Sequence, residues 1–185
     1  MVTFSTKDYW GNLFVVFTVP LPNRPPVFMS MKVTEYNKDK SGVVIIDPEK
    51  FLELWRNEPH SIHRSEANGT PQTWPHDRKY GHAAEGFSHG FDNPVPLAYV
   101  SHGISTRTIV SHRFLWFGKS VRHEQFHYVG FTNGITRTIW LLTQGCTAFP
   151  VECEMPGARE LHRVAAAPNT HFYTVGELAE VASHA

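Results

Sequence analysis

Phe126-His-Tyr-Val-Gly-Phe-Thr-Asn-Gly-Ile-Thr-Arg-Thr-Ile-Trp-Leu-Leu-Thr-Gln-Gly-Cys-Thr-Ala-Phe-Pro-Val-Glu-Cys-Glu154 is the stretch on which the fold turns. Tyr128–Phe131 is rich in β-formers and reads as a strand. Asn133 is a good helix cap, Ile135, Ile139 and Leu142 recur at helical spacing, and Gly145 stops the helix. Ala148–Cys153 is a second strand. The unit is strand, turn, helix, strand, as α+β domains use to place a turn beside a sheet.

The flanks extend this pattern. Leu13–Val19 is a continuous β-favouring run, closed by the proline-rich turn Pro20–Pro26, and Val27–Tyr36 is β-prone. Asn37–Gly42 is a polar turn and Val43–Ile46 a short buried strand. Asp47, Pro48 and Glu49 then predict a helix over Pro48–Arg56, with Asp47 as the cap and Pro48 at the first helical position. Residues 57–94 are polar and rich in His, Gly, Pro and Asn, and read as a long functional loop with a short helix near Tyr80–Phe87. Pro96–Val100 resumes a strand, and residues 104–128 predict a hairpin about Gly118. Thr174 and Glu177 form a capping box for a last short helix. The 185 residues are expected to form a single domain.

Composition excludes several classes. Hydrophobic residues are 41% and charged residues 18%, which is the balance of a globular chain rather than a disordered one. Lys+Arg and Asp+Glu are both 17, so this is no globally basic DNA-coating protein. No run of eighteen apolar residues is present, which predicts no membrane span, and the first residues lack a secretory pattern. Cys146 and Cys153 are too few for a disulfide framework; they read as small hydrophobes of an intracellular, reduced protein. The neutral total hides a segregation. Between Asn93 and Val151 stand five cations (Arg107, Arg113, Lys119, Arg122 and Arg137) and one acid, Glu124, so that segment is +4 and the remainder −4. Such a segment suits a polyanion.

Asn133-Gly134-Ile135-Thr136-Arg137 carries the first chemistry. A helix start leaves backbone N–H groups unpaired and partly positive, so it suits an anion. Gly134 lets a phosphate approach the backbone, Thr136 offers a hydroxyl, and Arg137 offers a forked guanidinium. The same residues also suit an ordinary helix start whose Arg faces water, and Arg137 itself has little reason to be buried.

In its setting the turn carries more. Phe131–Val151, with a G-x-x-R turn, an apolar helix ending in Leu-x-x-x-Gly and a strand opening on Phe-Pro-Val, resembles the signature of the ParB/sulfiredoxin superfamily. Asn93–Val100 resembles the strand-opening element that precedes it, so the motif region spans 93–154. The small size and the His-rich loop make the chain similar to plasmid fertility-inhibition factors. The resemblance implies an α+β, ParB/sulfiredoxin-like mixed sheet with short helices packed on it. It implies ATP bound at Asn133, Gly134, Thr136 and Arg137, with Mg²⁺ carried by the nucleotide or shared with a carboxylate, for which Glu124 and Glu152 are the candidates. Arg137, Thr136, Glu124 and Glu152 would carry the catalysis. It implies nuclease action on DNA, single- or double-stranded and read without regard to sequence, with Arg107, Arg113, Lys119 and Arg122 tracking the backbone. The cell process implied is a block on DNA export through a type IV secretion system, in the cytoplasm of a bacterial donor, with recruitment to the inner-membrane machinery and with a coupling protein or a relaxase–DNA complex as partner. The chain departs from the pattern at three places. Ile135 stands where sulfiredoxins have their catalytic Cys, which excludes sulfinic-acid reduction. Thr136 replaces a frequent His, and Asn133 replaces Asp.

Two other readings stay open. A non-catalytic module could bind the secretion-system coupling protein through the long loop. A zinc hydrolase could use His123-Glu124-Gln-Phe-His127, a formal H-E-x-x-H that puts two imidazoles on one face of a helix. The surrounding Phe-His-Tyr-Val-Gly-Phe is strand-like, so the segment is expected to be extended and to hold no stoichiometric zinc. His60, His63, His76 and His82 read either as a loop metal site or as solvated side chains. The stripe Phe114-Leu-Trp116-Phe117 reads either as core or as a base-stacking surface.

Overall fold

The computed structural model describes residues 1–60, 63–112 and 119–183. The chain is α+β, with two mixed sheets and short helices packed around them. The first sheet has the order β1-β2-β3-β5, with β1 at Thr3–Tyr9, β2 at Asn12–Leu21, β3 at Arg24–Lys32 and β5 at Val95–Pro96. β1 and β2 are joined by Trp10 and Gly11, both at positive φ (50° and 76°). That pair of dihedrals matches the right-handed twist of a tight hairpin. The expected turn over Pro20–Pro26 is shorter than its prolines suggest, since β2 runs to Leu21 and β3 starts at Arg24. The strand expected over Val27–Tyr36 ends at Lys32, where Asn37 folds back to donate to the Lys32 carbonyl (3.0 Å).

The second sheet has the order β7-β6-β8-β4-β9. Its strands are β4 at Ser41–Ile46, β6 at Ala98–His112, β7 at Lys119–Asn133, β8 at Phe149–Glu154 and β9 at Tyr173–Thr174. β6 and β8 are parallel; the other pairs are antiparallel. The helix α1, Pro48–Arg56, forms where the cap predicts it, and Asp47 accepts from the Glu49 and Lys50 amides. It packs Phe51 against Phe131 and Phe149, and Trp55 against Phe131, with ring centroids 4.7–6.0 Å apart. α5, Gly157–Ala165, buries Ala158, Leu161 and Ala165, and α6, Val175–Ser183, starts on the Thr174–Glu177 capping box.

Two features position the site. Residues 57–94 are not a bare loop: they contain α2 (Arg64–Ala67), a 3₁₀ turn (Trp74–His76) and α3 (Tyr80–Ser88). Trp74 anchors this excursion by packing with Trp55 and Ile139; its indole donates to the Glu66 carbonyl at 2.7 Å and leaves no room for a side chain at Gly69. α3 is clamped to α4, Ile135–Thr143, by Phe87 stacked on Trp140 at 4.4 Å. The second feature is the β6–β7 hairpin. Only Ala98–Val100 of β6 pairs with β8, and from Ser101 to His112 the strand has β7 alone as its partner. The result is a two-stranded ribbon. By the period of two along a strand, Ile104, Val110 and Val121 share one of its faces, where they are 53%, 47% and 56% exposed. No helix among the described residues is long and apolar enough to cross a membrane.

Candidate functional site

β7 ends at Asn133, Gly134 takes φ +102°, and α4 begins at Ile135. A Cβ on Gly134 would lie 2.6 Å from the Ala98 Cα, so the turn also presses directly on the start of β6. Glycine is required for both reasons. The cap is therefore Gly134 and not Asn133, because the chain leaves the strand one residue later than the sequence suggests. Thr138 is the first residue whose N–H closes onto the helix, at the Gly134 carbonyl (3.0 Å), and no side chain caps the turn. The amides of Ile135, Thr136 and Arg137 are left as donors.

Arg137 does not stand free in water as expected. Its Nη1 donates to the carbonyls of Pro96 (2.6 Å) and Leu97 (2.9 Å), and Nη2 reaches the Asn133 side chain at 3.5 Å. Burial pulls the guanidinium pKa below its ordinary value. It stays a cation. The physical reason is the junction between β5 and β6, whose Pro96 and Leu97 carbonyls lie within reach of the first turn of α4.

Asn133, Gly134, Thr136 and Arg137 all line a cleft of about 480 Å³. The opposite wall comes from the 57–94 excursion: Arg78 and Lys79 supply cations, Glu66 and Asp77 carboxylates, and His63 an imidazole. Asp77 also accepts from the Lys79 amide at 2.8 Å, and His63 lies 3.8 Å from Glu66. Of these five the sequence singles out His63 alone, as a candidate loop histidine, and not Glu66, Asp77, Arg78 or Lys79. They are ordinary polar loop residues until the 3₁₀ turn at Trp74–His76 and α3 carry them to the turn.

The other expected site residues lie elsewhere. Glu124 bonds Arg107 at 3.2 Å and lies 3.8 Å from Arg122, on the ribbon face opposite Ile104 and Val110. It lies nine positions before Asn133 along the strand, about 30 Å, so it is not brought to the turn. Lys119 opens β7; Arg113 and the Phe114–Phe117 stripe lie outside the described residues. Glu152, on β8, is half-buried and accepts from Asn37 at 3.3 Å. Burial raises its pKa; burial of Tyr99, then Glu154 and least of all Glu152, push that phenol up to about 12.

This burial has a pH signature. A carboxyl protonated more readily in the folded chain than in the unfolded one favours folding below the ordinary carboxyl range, and that contribution is lost as pH rises through the raised value. Glu152→Gln keeps the shape and removes the charge. It is expected to raise the melting temperature by a few degrees at pH 7 and to leave it unchanged near pH 4. Melting curves of both proteins across that range check this, and an equal shift at both pH values would refute it.

His123 and His127 lie on β7, extended as expected, so they lack the helical geometry of a zinc-protease pair. They find different partners. His123 lies 3.2 Å from the Thr108 hydroxyl, and His127 Nδ1 lies 2.9 Å from His102 Nε2. Burial and His127 together lower the His102 pKa. Among the described residues no three His, Cys, Asp or Glu side chains converge as a metal site. Cys146 and Cys153 are buried, and burial pushes both thiols up to about 11, which leaves them unreactive.

A sequence profile of PFIN, plasmid fertility inhibition factor, matches residues 43–166, a span that runs from β4 through α5 and contains both walls of the cleft. Protein osa of Shigella flexneri is 34% identical over 138 residues, which make up 74% of this chain and 60% of that protein. The chain thus spans less than two thirds of that relative. The crystal structure of Oncogenic Suppression Activity Protein, a plasmid fertility inhibition factor, as its gold(I) cyanide derivative, matches with a TM-score of 0.69 at 27% identity, over 98% of this chain and 82% of that one. This chain belongs to the plasmid fertility inhibition factor family.

Proposed function

We propose that the chain blocks DNA transfer through a type IV secretion system of its own cell by ATP-linked nuclease action on the transferred DNA, from a ParB/sulfiredoxin-like scaffold. One observation carries the reading. The uncapped amides of α4 and three cations, Arg78, Lys79 and Arg137, face a single cleft of about 480 Å³. Backbone donors, a helix N-terminus and guanidinium groups suit a polyphosphate. Thr136 adds a hydroxyl in contact range of such a ligand. The donor set also suits Mg²⁺, which would neutralise phosphate oxygens, with Glu66 and Asp77 as the carboxylates beside the turn in place of Glu124 and Glu152. The DNA path runs along Arg107, Arg113, Lys119 and Arg122, Glu124 tying Arg107 to Arg122. The coupling protein or the relaxase–DNA complex is the partner, on the cytoplasmic side of the inner membrane.

The second reading, a non-catalytic module docking on the coupling protein, has one observation in its favour. The ribbon face bearing Ile104, Val110 and Val121 carries apolar side chains open to solvent, which suits a protein surface better than a nucleic acid.

ATP turnover and DNA cleavage by the purified chain separate the two. The side chains of Arg78 and Lys79 are exposed, so the double change Arg78→Ala, Lys79→Ala should leave melting untouched while ATP binding weakens by at least tenfold. Removing one charge-assisted hydrogen bond to a phosphate costs about 1.5–3 kcal/mol. DNA affinity should fall with salt at a log–log slope near 3 or 4, since each neutralised phosphate contributes about 0.9 on duplex and about 0.7 on single strands. Wild-type protein that neither turns over ATP nor binds DNA at low salt would leave the docking module as the function.

A further inference from the structure

We infer that the nucleoside end of the ligand is held in a second cavity, of about 240 Å³, on the other side of Arg137 from the phosphate cleft, between α3 and the Val95–Pro96 strand. The inference rests on the nucleotide reading above and adds where the base and ribose go.

Three residues, Lys79, Thr136 and Arg137, line both cavities, so the two adjoin through a shared wall. That wall is rigid. The Arg137 guanidinium is pinned to the carbonyls of Pro96 and Leu97 by two bonds of 2.6 and 2.9 Å, at the strand that closes the second cavity. A ligand whose phosphates meet the α4 amides and Arg137 therefore has this cavity within reach of its other end.

The chemistry of the second cavity differs from that of the first. Lys79, His82, Ala83 and Gly86 line it from α3 and the residue before it. The spacings of three, one and three residues put all four on one helical stripe. Val95 and Pro96 face them. Ala83, Gly86, Val95 and Pro96 make a low apolar slot, while His82, Lys79 and Thr136 supply hydrogen-bonding groups and no carboxylate lines it. A flat heterocycle with ring nitrogens, joined to a polyhydroxylated sugar, fits such a slot, whose walls are mostly apolar; a metal ion, with no carboxylate there to hold it, does not. Gly86 keeps the slot open. A Cβ placed there would already touch Val95 Cγ2 at 3.4 Å, so any longer side chain fills the gap. Both subsites are also referenced to one element: α3 is held on α4 by the Phe87–Trp140 stack and by Gln144 Nε2 to the Tyr80 hydroxyl at 3.3 Å, and α4 begins at the phosphate turn.

The test is calorimetric binding of ATP and of inorganic tripolyphosphate, each with Mg²⁺, to the wild type, to Gly86→Leu and to His82→Ala. Leucine is a better helix former than glycine, so the first variant retains α3. The wild type is expected to bind ATP more tightly than tripolyphosphate. Gly86→Leu should lose at least tenfold in ATP affinity and His82→Ala at least threefold, with tripolyphosphate affinity within twofold of wild type in both. Equal wild-type affinity for the two ligands, or ATP affinity unchanged by Gly86→Leu, overturns the base subsite while the phosphate cleft stands. A parallel loss of both ligands in Gly86→Leu also overturns it. If neither ligand binds the wild type, the nucleotide reading fails and takes this inference with it.

Discussion

Arg137→Ala is expected to melt roughly 4–12 °C below wild type and to bind ATP far more weakly, the two losses arriving together. The guanidinium donates to two backbone carbonyls at the β5–β6 junction, 2.6 and 2.9 Å away. Hydrogen bonds from a charged donor contribute about 1.5–3 kcal/mol each when buried. Here the group is only half-buried, so about 2–3 kcal/mol for the pair is a sensible scale. In a chain of this size each kcal/mol moves the midpoint by about 2–4 °C. Arg137→Lys preserves the charge but not the fork, so it should recover part of the ATP affinity and little of the stability. Calorimetric melting of the three proteins decides the matter. A midpoint unchanged in Arg137→Ala would mean the carbonyl contacts contribute nothing, as a solvent-facing arginine would require.

The second large effect is at Gly134. Gly134→Ala meets two costs at one position. At φ +102° an L-residue is strained by about 1–2 kcal/mol, and the new methyl would lie 2.6 Å from the Ala98 Cα and 2.7 Å from its Cβ. The first neighbour is backbone of a central strand, so relief requires moving β6 or the turn. Overpacking of this kind costs about 1–3 kcal/mol. The sum, roughly 3 kcal/mol, predicts a midpoint lowered by about 6–12 °C. Amide exchange should localise the damage to Ala98–Val100 and the first turn of α4. By contrast Gly81→Ala, at an α3 position where an added Cβ meets nothing within 4 Å, should be neutral or slightly stabilising. If Gly134→Ala and Gly81→Ala melt alike, the close approach at Ala98 is not a constraint.

These two sites mark the boundary between what is local and what is not. Gly134 sits in a strand-to-helix turn legible from the apolar spacing of Ile135, Ile139 and Leu142 and from the stop at Gly145. α1 was equally legible, because a cap is a contact between residues two and three apart, and Asp47 makes it with Glu49 and Lys50. The Thr174–Glu177 box opens α6 for the same reason. β1 was not. Thr3–Tyr9 is an edge strand with three of its seven residues exposed and none buried, so it carries almost no apolar signal. α5 escaped because its buried face is largely alanine, with Ala158 and Ala165 beside Leu161.

By itself, then, the sequence determined the α+β class, the helices with caps, the strand–turn–helix–strand unit and the glycine at its turn. It also contained the resemblance to plasmid fertility-inhibition factors, carried by that unit together with the small size and the His-rich loop. Only the tertiary structure decided that the excursion from 57 to 94 folds back, so that Arg78, Lys79, Glu66 and Asp77 face a turn more than fifty residues away. It decided that Arg137 spends two of its donors on backbone carbonyls, and that Glu124 stands far along the ribbon from the turn it was expected to serve. The physical reason is range. Caps, turns and periodicities arise from residues within about four positions of one another and are written in short stretches of sequence. The cleft depends on Trp74, buried in one apolar cluster with Trp55 and Ile139, and on the Phe87–Trp140 stack, which join segments whose proximity follows from burying apolar surface over the whole chain.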